Sequence, residues 1–253
     1  AAMYAACKAT VKVGDGNEIS LHEQTNYPFE ETIRFTVNTP KAVSFPFYLR
    51  IPSWTEGATI FVNGKKVAAN PEAGQYACIN REWKDNDQVE IQLPMQLSMR
   101  TWQVNKNSVS VDYGPLTMSL KIDEDYVKKD SRATAIGDSK WQEGADASQW
   151  PTYEIYAKTP WNYALVLGKN EPLKDFKVVH KEWPADNFPF TVASTPIEVK
   201  AIGRKVPSWV IDQYDLCSEL PEMDAPKGEK EEITLIPMGV ARLRVSAFPN
   251  TRE

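Results

Sequence analysis

The sequence predicts an all-β chain of two tandem antiparallel β-sandwiches, jelly-roll-like in type. Three observations carry this expectation. Short runs such as Ala58-Thr59-Ile60-Phe61-Val62 and Val89-Glu90-Ile91-Gln92-Leu93 alternate apolar and polar residues, the period of a sheet buried on one face. Turn signals recur between those runs, including Asn63-Gly64, which supplies the positive-φ positions of a tight hairpin. The composition of 18 Pro against 12 Gly with 11% aromatic residues favours strands and proline-marked corners, and no amphipathic helix of several turns is visible.

Taken in order, strands are expected over 9–13, 18–24, 31–38, 43–51, 59–62, 75–79, 88–93, 97–102 and 108–122. Turns fall at Gly14-Asp15-Gly16, Asn26 to Pro28, Asn63-Gly64, Asn70-Pro71 and Asp85 to Asp87. This series makes a first sandwich of residues 1–122. Residues 123–150 are charged and small with little periodicity, which reads as a linker or long loop. Sheet text resumes in YEIYA, WNYALVL, FKVVHKEW, FTVASTPIEVKAI, EEITLIP and ARLRVSAFP, giving a second sandwich over 151–253. The Pro-rich, charged segment Ser218 to Glu232 reads as a surface loop.

A net charge of −5 without a basic stripe makes nucleic acid and anionic membrane surfaces poor partners and leaves a neutral ligand such as a glycan open. No run approaches the roughly 20 apolar residues of a membrane span. The chain opens on AAMYAACKATVKV, apolar residues already in step and without an initiator methionine, as if cut from a longer polypeptide. Cys7, Cys78 and Cys217 are odd in number and widely spaced, which argues against a disulfide framework or a local zinc site; each reads as a small hydrophobe on a strand.

Candidate chemistry is sparse. His22 and His180 lie in alternating strand text without a nucleophile motif and read as surface or edge-strand residues. Paired carboxylates for glycoside hydrolysis need a defined separation that sequence does not fix. Glu30-Glu31 reads as a solvated edge, and Glu82 beside Trp83 reads first as a turn whose tryptophan closes the core. Of the eight tryptophans, Trp54, Trp83 and Trp209 end or follow strands and are expected in the core. Trp141, Trp150 and Trp161 flank the irregular segment and are the carbohydrate-contact candidates, because an indole stacks on a sugar face.

At YLRIPSW, VNGKKV, GQYACINREWKDNDQVEIQLPM and VDYGPLTMSL the chain resembles the C-terminal region of glycoside hydrolase family 127, β-L-arabinofuranosidase-like enzymes formerly catalogued as a domain of unknown function. MYAACKATVKVGDGNEISLHEQTNYPFEETIRF resembles the segment after that family's catalytic barrel, and KVPSW and ITLIPMGVARLRVSAFP resemble its closing strands. The resemblance runs almost end to end and is weakest over 123–150. It implies an N-terminal (α/α)6 barrel that this chain lacks, holding a zinc-bound cysteine nucleophile and a glutamate acid/base, followed by two β-sandwiches. Cys7 falls where the family often has a small residue such as serine, so the nucleophile is not carried over to it, and neither a catalytic residue nor a metal ligand is assigned in this segment. The implied function is the non-catalytic β-sandwich portion of a larger retaining hydrolase acting on plant-type glycans. Its partner is its own barrel, a homodimer contact stays open, and the bacterial parent is expected to be periplasmic or secreted. An apolar patch at Ala1 to Ala6 is expected where the missing chain packed. Two other classes remain: a stand-alone carbohydrate-binding module, which needs an exposed aromatic platform, and a self-contained enzyme, which needs an acid pair in one cleft.

Overall fold

The computed structural model describes residues 1–67, 72–130, 146–214 and 216–253. It is all-β: among the described residues the only helical pieces are the 3-10 turns Ala147–Gln149 and Met238–Val240. Two compact units form, one of Ala1–Ser98 with Asp112–Leu116, the other of Met99–Val111 with Thr117–Glu253. This differs from a break at residue 122, because the strands between 97 and 120 are hydrogen-bonded into the sheet that also carries the last third of the chain.

The first unit contains β1 (Cys7–Val13), β2 (Asn17–Thr25), β3 (Thr32–Asn38), β4 (Val43–Arg50), β5 (Thr59–Val62), β6 (Lys65–Lys66), β7 (Tyr76–Trp83) and β8 (Asp87–Gln92). Six of them form an antiparallel sheet in the order β1-β2-β3-β8-β5-β6, while β4 and β7 pair as a separate ribbon. The alternation seen in the sequence decides which side faces inward. On β4, Val43, Phe45, Phe47 and Leu49 are buried while Ser44, Pro46, Tyr48 and Arg50 are exposed. Ile33, Phe35 and Val37 of β3, Val89 and Ile91 of β8, and Ile60 and Val62 of β5 meet them in one apolar core. Trp83 sits fully buried in it, 5.6 Å from the Phe45 ring and 6.0 Å from the Phe47 ring, and donates its indole N–H to the Phe45 carbonyl at 3.0 Å.

The expected hairpin is present between β5 and β6, with φ of 50° at Asn63 and 76° at Gly64. Asn63 also ties this turn to the next one. Its carboxamide donates to Asp87 Oδ1 at 2.8 Å and accepts from the Gln88 N–H at 2.8 Å, and Asp87 Oδ2 accepts from the Lys84 N–H at 2.9 Å. Burial pushes the Asp87 carboxyl up, but the Lys84 and Asn63 hydrogen bonds and the Arg81 guanidinium more than offset this and hold it below its ordinary value.

In the N-terminal segment Ala2, Met3, Ala5 and Ala6 are exposed, as expected of an apolar patch there, whereas Tyr4 is buried. Tyr4 turns into the core against Tyr27 and Phe35, with ring centroids 5.9 and 6.3 Å away, and its hydroxyl donates to the Arg50 carbonyl at 2.6 Å. Met3, 83% exposed, is the large apolar side chain left outside.

The second unit holds β9 (Leu97–Trp102), β10 (Ser108–Tyr113), β11 (Leu116–Leu120), β12 (Glu124–Lys129), β13 (Thr152–Ala157), β14 (Tyr163–Leu167), β15 (Lys177–His180), β16 (Ile197–Lys205), β17 (Lys230–Pro237) and β18 (Asn250–Arg252), with the divide between units crossing β9 to β11. Its sheet runs β18-β14-β16-β17-β11-β10-β9, and β15 pairs with β16. β11 with β17, β14 with β16, β15 with β16 and β16 with β17 pair antiparallel, while β14 and β18 run parallel. Several expectations shift here. The run 108–122 is two strands, split at Gly114, whose φ of 54° and 2.6 Å approach of an added Cβ to Met95 both demand glycine. Part of 123–150 is not loop: β12 pairs along its whole length with β13. FTVASTPIEVKAI becomes strand only from Ile197, after a turn in which Thr191 and Ser194 bond each other. ARLRVSAFP does not enter a ladder, although the Val245 carbonyl accepts from the Leu120 N–H at 2.8 Å and Phe248 bridges to Val109.

Trp83→Ala is expected to destabilise the first unit by about 3–5 kcal/mol, measured by denaturant unfolding, since it opens a cavity in the core. Asp87→Ala should lose about 1–3 kcal/mol at neutral pH. Because the folded-state value of Asp87 lies below 3.8, its contribution is complete above that value and disappears as pH falls through the folded one, so the gap between wild type and variant should close in acid.

Candidate functional site

The structure treats the tryptophan candidates differently. Trp141 lies outside the described residues. Trp150 follows the 147–149 turn, ahead of β13, and is 67% exposed. Trp161 is half-buried and packs edge-to-face on Trp209, with centroids 5.0 Å apart and planes at 70°. Trp209 is buried with Ala164 and Val206 and donates its indole N–H to the Ser218 carbonyl at 3.1 Å. Trp161 therefore forms a wall, and the recess it lines, about 260 Å³, is shared with Ile122, Ile155, Tyr156, Ile211, Cys217 and Leu243 among others. Polar groups at its rim are engaged elsewhere: the Tyr156 hydroxyl donates to Glu154 Oε2 at 2.5 Å and Arg244 Nε to the Ala241 carbonyl at 2.8 Å. Burial pushes the Cys217 thiol up, which keeps it protonated. An apolar recess of this kind lacks the converging donors and acceptors that orient a sugar. The core expectation holds for Trp83 and Trp209, and Trp54 packs against the first unit's core while only partly buried.

The acids are dispersed over separate roles. Glu82 is exposed on the outward face of β7 while its neighbour Trp83 points inward, so the pair cannot frame one ligand. Glu30 accepts from the Asn26 carboxamide at 2.8 Å, and Glu31 from the Met95 N–H at 2.8 Å. Two buried carboxylates were not singled out in the sequence. Glu23 stands on the core side of β2, accepting from the Ala5 N–H at 2.9 Å with Cys7 Sγ 3.9 Å from its other oxygen. Burial raises its pKa, and the Ala5 N–H, the N-terminal ammonium and Cys7 only partly pull it back. Glu198 on β16 accepts from Lys121 at 3.2 Å and Lys181 at 3.1 Å; burial pushes it up, but the two ammonium groups prevail and its pKa is lowered. The readable signal for Glu23 is an acid at an inward position of an alternating strand, in NEISLHEQT, whereas Glu198 lies on the opposite face of β16 from Ile197, Val199 and Ala201 and is covered by the two lysines.

His22 and His180 are exposed on β2 and β15. Cys7, Cys78 and Cys217 are free thiols and all exposed rather than packed as small hydrophobes, and Cys217 lies outside a strand. Among the described residues no three His, Cys, Asp or Glu side chains come together as a metal ion requires.

Comparison with known proteins finds a family model similar to part of the chain. Residues 1–95 match the profile described as "Beta-L-arabinofuranosidase, GH127 middle domain". Over this span the chain is similar to the GH127 middle domain. Three solved structures share the fold across nearly all of the chain. One is a "Glycoside hydrolase", with a TM-score of 0.61 and 23% identity over 99% of this chain and 35% of that one. The second is Ara127N-Se, a GH127 beta-L-arabinofuranosidase from Geobacillus stearothermophilus T6, with a TM-score of 0.60 and 22% identity over 98% and 33%. The third is a GH127 beta-arabinofuranosidase, with a TM-score of 0.61 and 19% identity over 98% and 34%. At these identities the likeness is one of fold, and the chain spans about a third of each neighbour's length. No curated protein matches the sequence.

If Trp161 is a wall and not a platform, Trp161→Ala should destabilise the second unit by about 3 kcal/mol. Trp150→Ala, at an exposed position, should change stability by less than about 1 kcal/mol. Urea unfolding of the two variants against wild type reads both.

Proposed function

We propose that this chain is the non-catalytic tandem β-domain portion of a larger retaining glycoside hydrolase acting on β-L-arabinofuranoside-like linkages of plant-type glycans, with its own catalytic barrel as principal partner. The supporting observation is the GH127 middle-domain match over residues 1–95, within a chain whose fold corresponds to about a third of GH127 enzymes. The chemistry of the described residues is in keeping with an accessory role. A retaining hydrolase needs two catalytic groups facing across one scissile bond. Here Glu23, Glu31 and Glu198 are instead bound into backbone N–H or lysine contacts that hold local structure. In this reading the nucleophile and its zinc ion belong to the barrel, and the sandwiches supply a rigid support for it.

Two measurements test the reading. The polypeptide isolated from its source cells should have an intact mass well above 28.6 kDa. The 253-residue chain should release no p-nitrophenol from p-nitrophenyl β-L-arabinofuranoside, while the longer polypeptide does. Turnover by the 253 residues alone, or a native mass equal to theirs, overturns it.

A further inference from the structure

The outer face of the six-stranded sheet in the first unit is not a flat solvated surface. It holds a recess of about 350 Å³, open to solvent, whose walls are set by strand register. Gln24, Arg34, Glu90 and Phe61 stand in one row across β2, β3, β8 and β5. Thr36 faces Gln88 in the next row on one side, and Gln92 faces Thr59 in the next row on the other. All point away from the core, because their neighbours Phe35, Val89, Ile60 and Val62 point into it.

The chemistry of this face is selective. Glu90 accepts from Arg34 Nε at 2.8 Å and from Gln92 Nε2 at 2.9 Å, which cancels the two charges and fixes three planar groups side by side. The carboxamides of Gln24 and Gln88 and the Thr36 hydroxyl have no hydrogen-bond partner among the described residues, so donors and acceptors remain available in the recess. Phe61, half-buried, offers a ring on the same row. A neutral patch with free planar amides and one aromatic ring discriminates against ions and fits a polyhydroxylated ring, whose hydroxyls bond amides in pairs while its C–H face stacks on the aromatic. Three strand spacings from β2 to β5 cover about 14 Å, the reach of two or three linked sugars.

We propose that this recess is a binding site for a neutral oligosaccharide of two or three units. The proposal does not rest on the accessory reading above, since turnover by the longer polypeptide and binding by this face are independent readouts.

The test is titration of the 253-residue chain with arabinotriose, xylotriose and cellotriose, followed by calorimetry and by amide chemical-shift mapping. The expected result is saturable millimolar binding of at least one trisaccharide, with shifts centred on residues 34–36, 61 and 88–92. Phe61→Ala and Gln88→Ala should each weaken it about tenfold, close to 1.4 kcal/mol. Unfolding midpoints of the variants show whether the fold is kept, and if Phe61→Ala fails to fold, Gln88→Ala and the wild-type shift map decide. Absence of saturation with all three sugars, shifts centred elsewhere, or undiminished binding by the folded variants overturns the proposal.

Discussion

The first unit depends on the burial of one ribbon. Two antiparallel strands are not stable alone in water, and among the described residues β4 with β7 make no ladder to any other strand. The ribbon holds its place because Phe45, Phe47, Leu49, Ile79 and Trp83 on its inner face interlock with Ile33, Phe35, Val89 and Ile91 of the six-stranded sheet. The Phe35 and Phe47 rings meet edge-on at 5.3 Å, and Trp83 joins the aromatic group while its indole N–H is satisfied by the ribbon's own backbone. Dispersion contacts and apolar burial thus do the work that hydrogen bonds do elsewhere in a sheet. Pro46 sits on the outward side of this ribbon, where a strand with a free edge tolerates a residue that has no N–H to give.

Around that core the turns set register. Asn63 and Asp87 belong to successive hairpins, and their mutual hydrogen bond couples the β5-β6 turn to the start of β8. A slip of one residue on β8 would carry Val89 and Ile91 to the outer face and bring Gln88 and Glu90 into the core, so the coupling and the apolar alternation enforce the same pairing. The same register places Gln88, Glu90 and Gln92 together on the outside, where they meet Arg34 and Phe61.

The second unit resolves its polar burdens by pairing. Glu198 is buried on β16 but lies between two lysine ammonium groups, which offsets the desolvation of its charge. Glu23 in the first unit lacks such a cation at close range beyond the chain's own N-terminus, and its raised pKa follows from that difference. Neither carboxylate is presented to a ligand-sized opening together with a second acid.

The sequence by itself determined the all-β class, the inward faces of alternating strands such as Thr59–Val62 and the Asn63-Gly64 hairpin, because period-two burial and turn chemistry are local properties of the chain. Its readings of Thr59–Val62 and Leu97–Trp102 coincide with the observed strands. Only the tertiary structure decided where the first unit ends, that Glu124–Lys129 pairs with Thr152–Ala157, that β14 and β18 run parallel, and that Trp161 is a wall on Trp209. It also decided that Tyr4 is a core residue and that Gln24, Arg34, Phe61 and Glu90 share one row. These are pairings between residues tens of positions apart, and strand partners are selected by the competition of whole faces for burial, which no local pattern records.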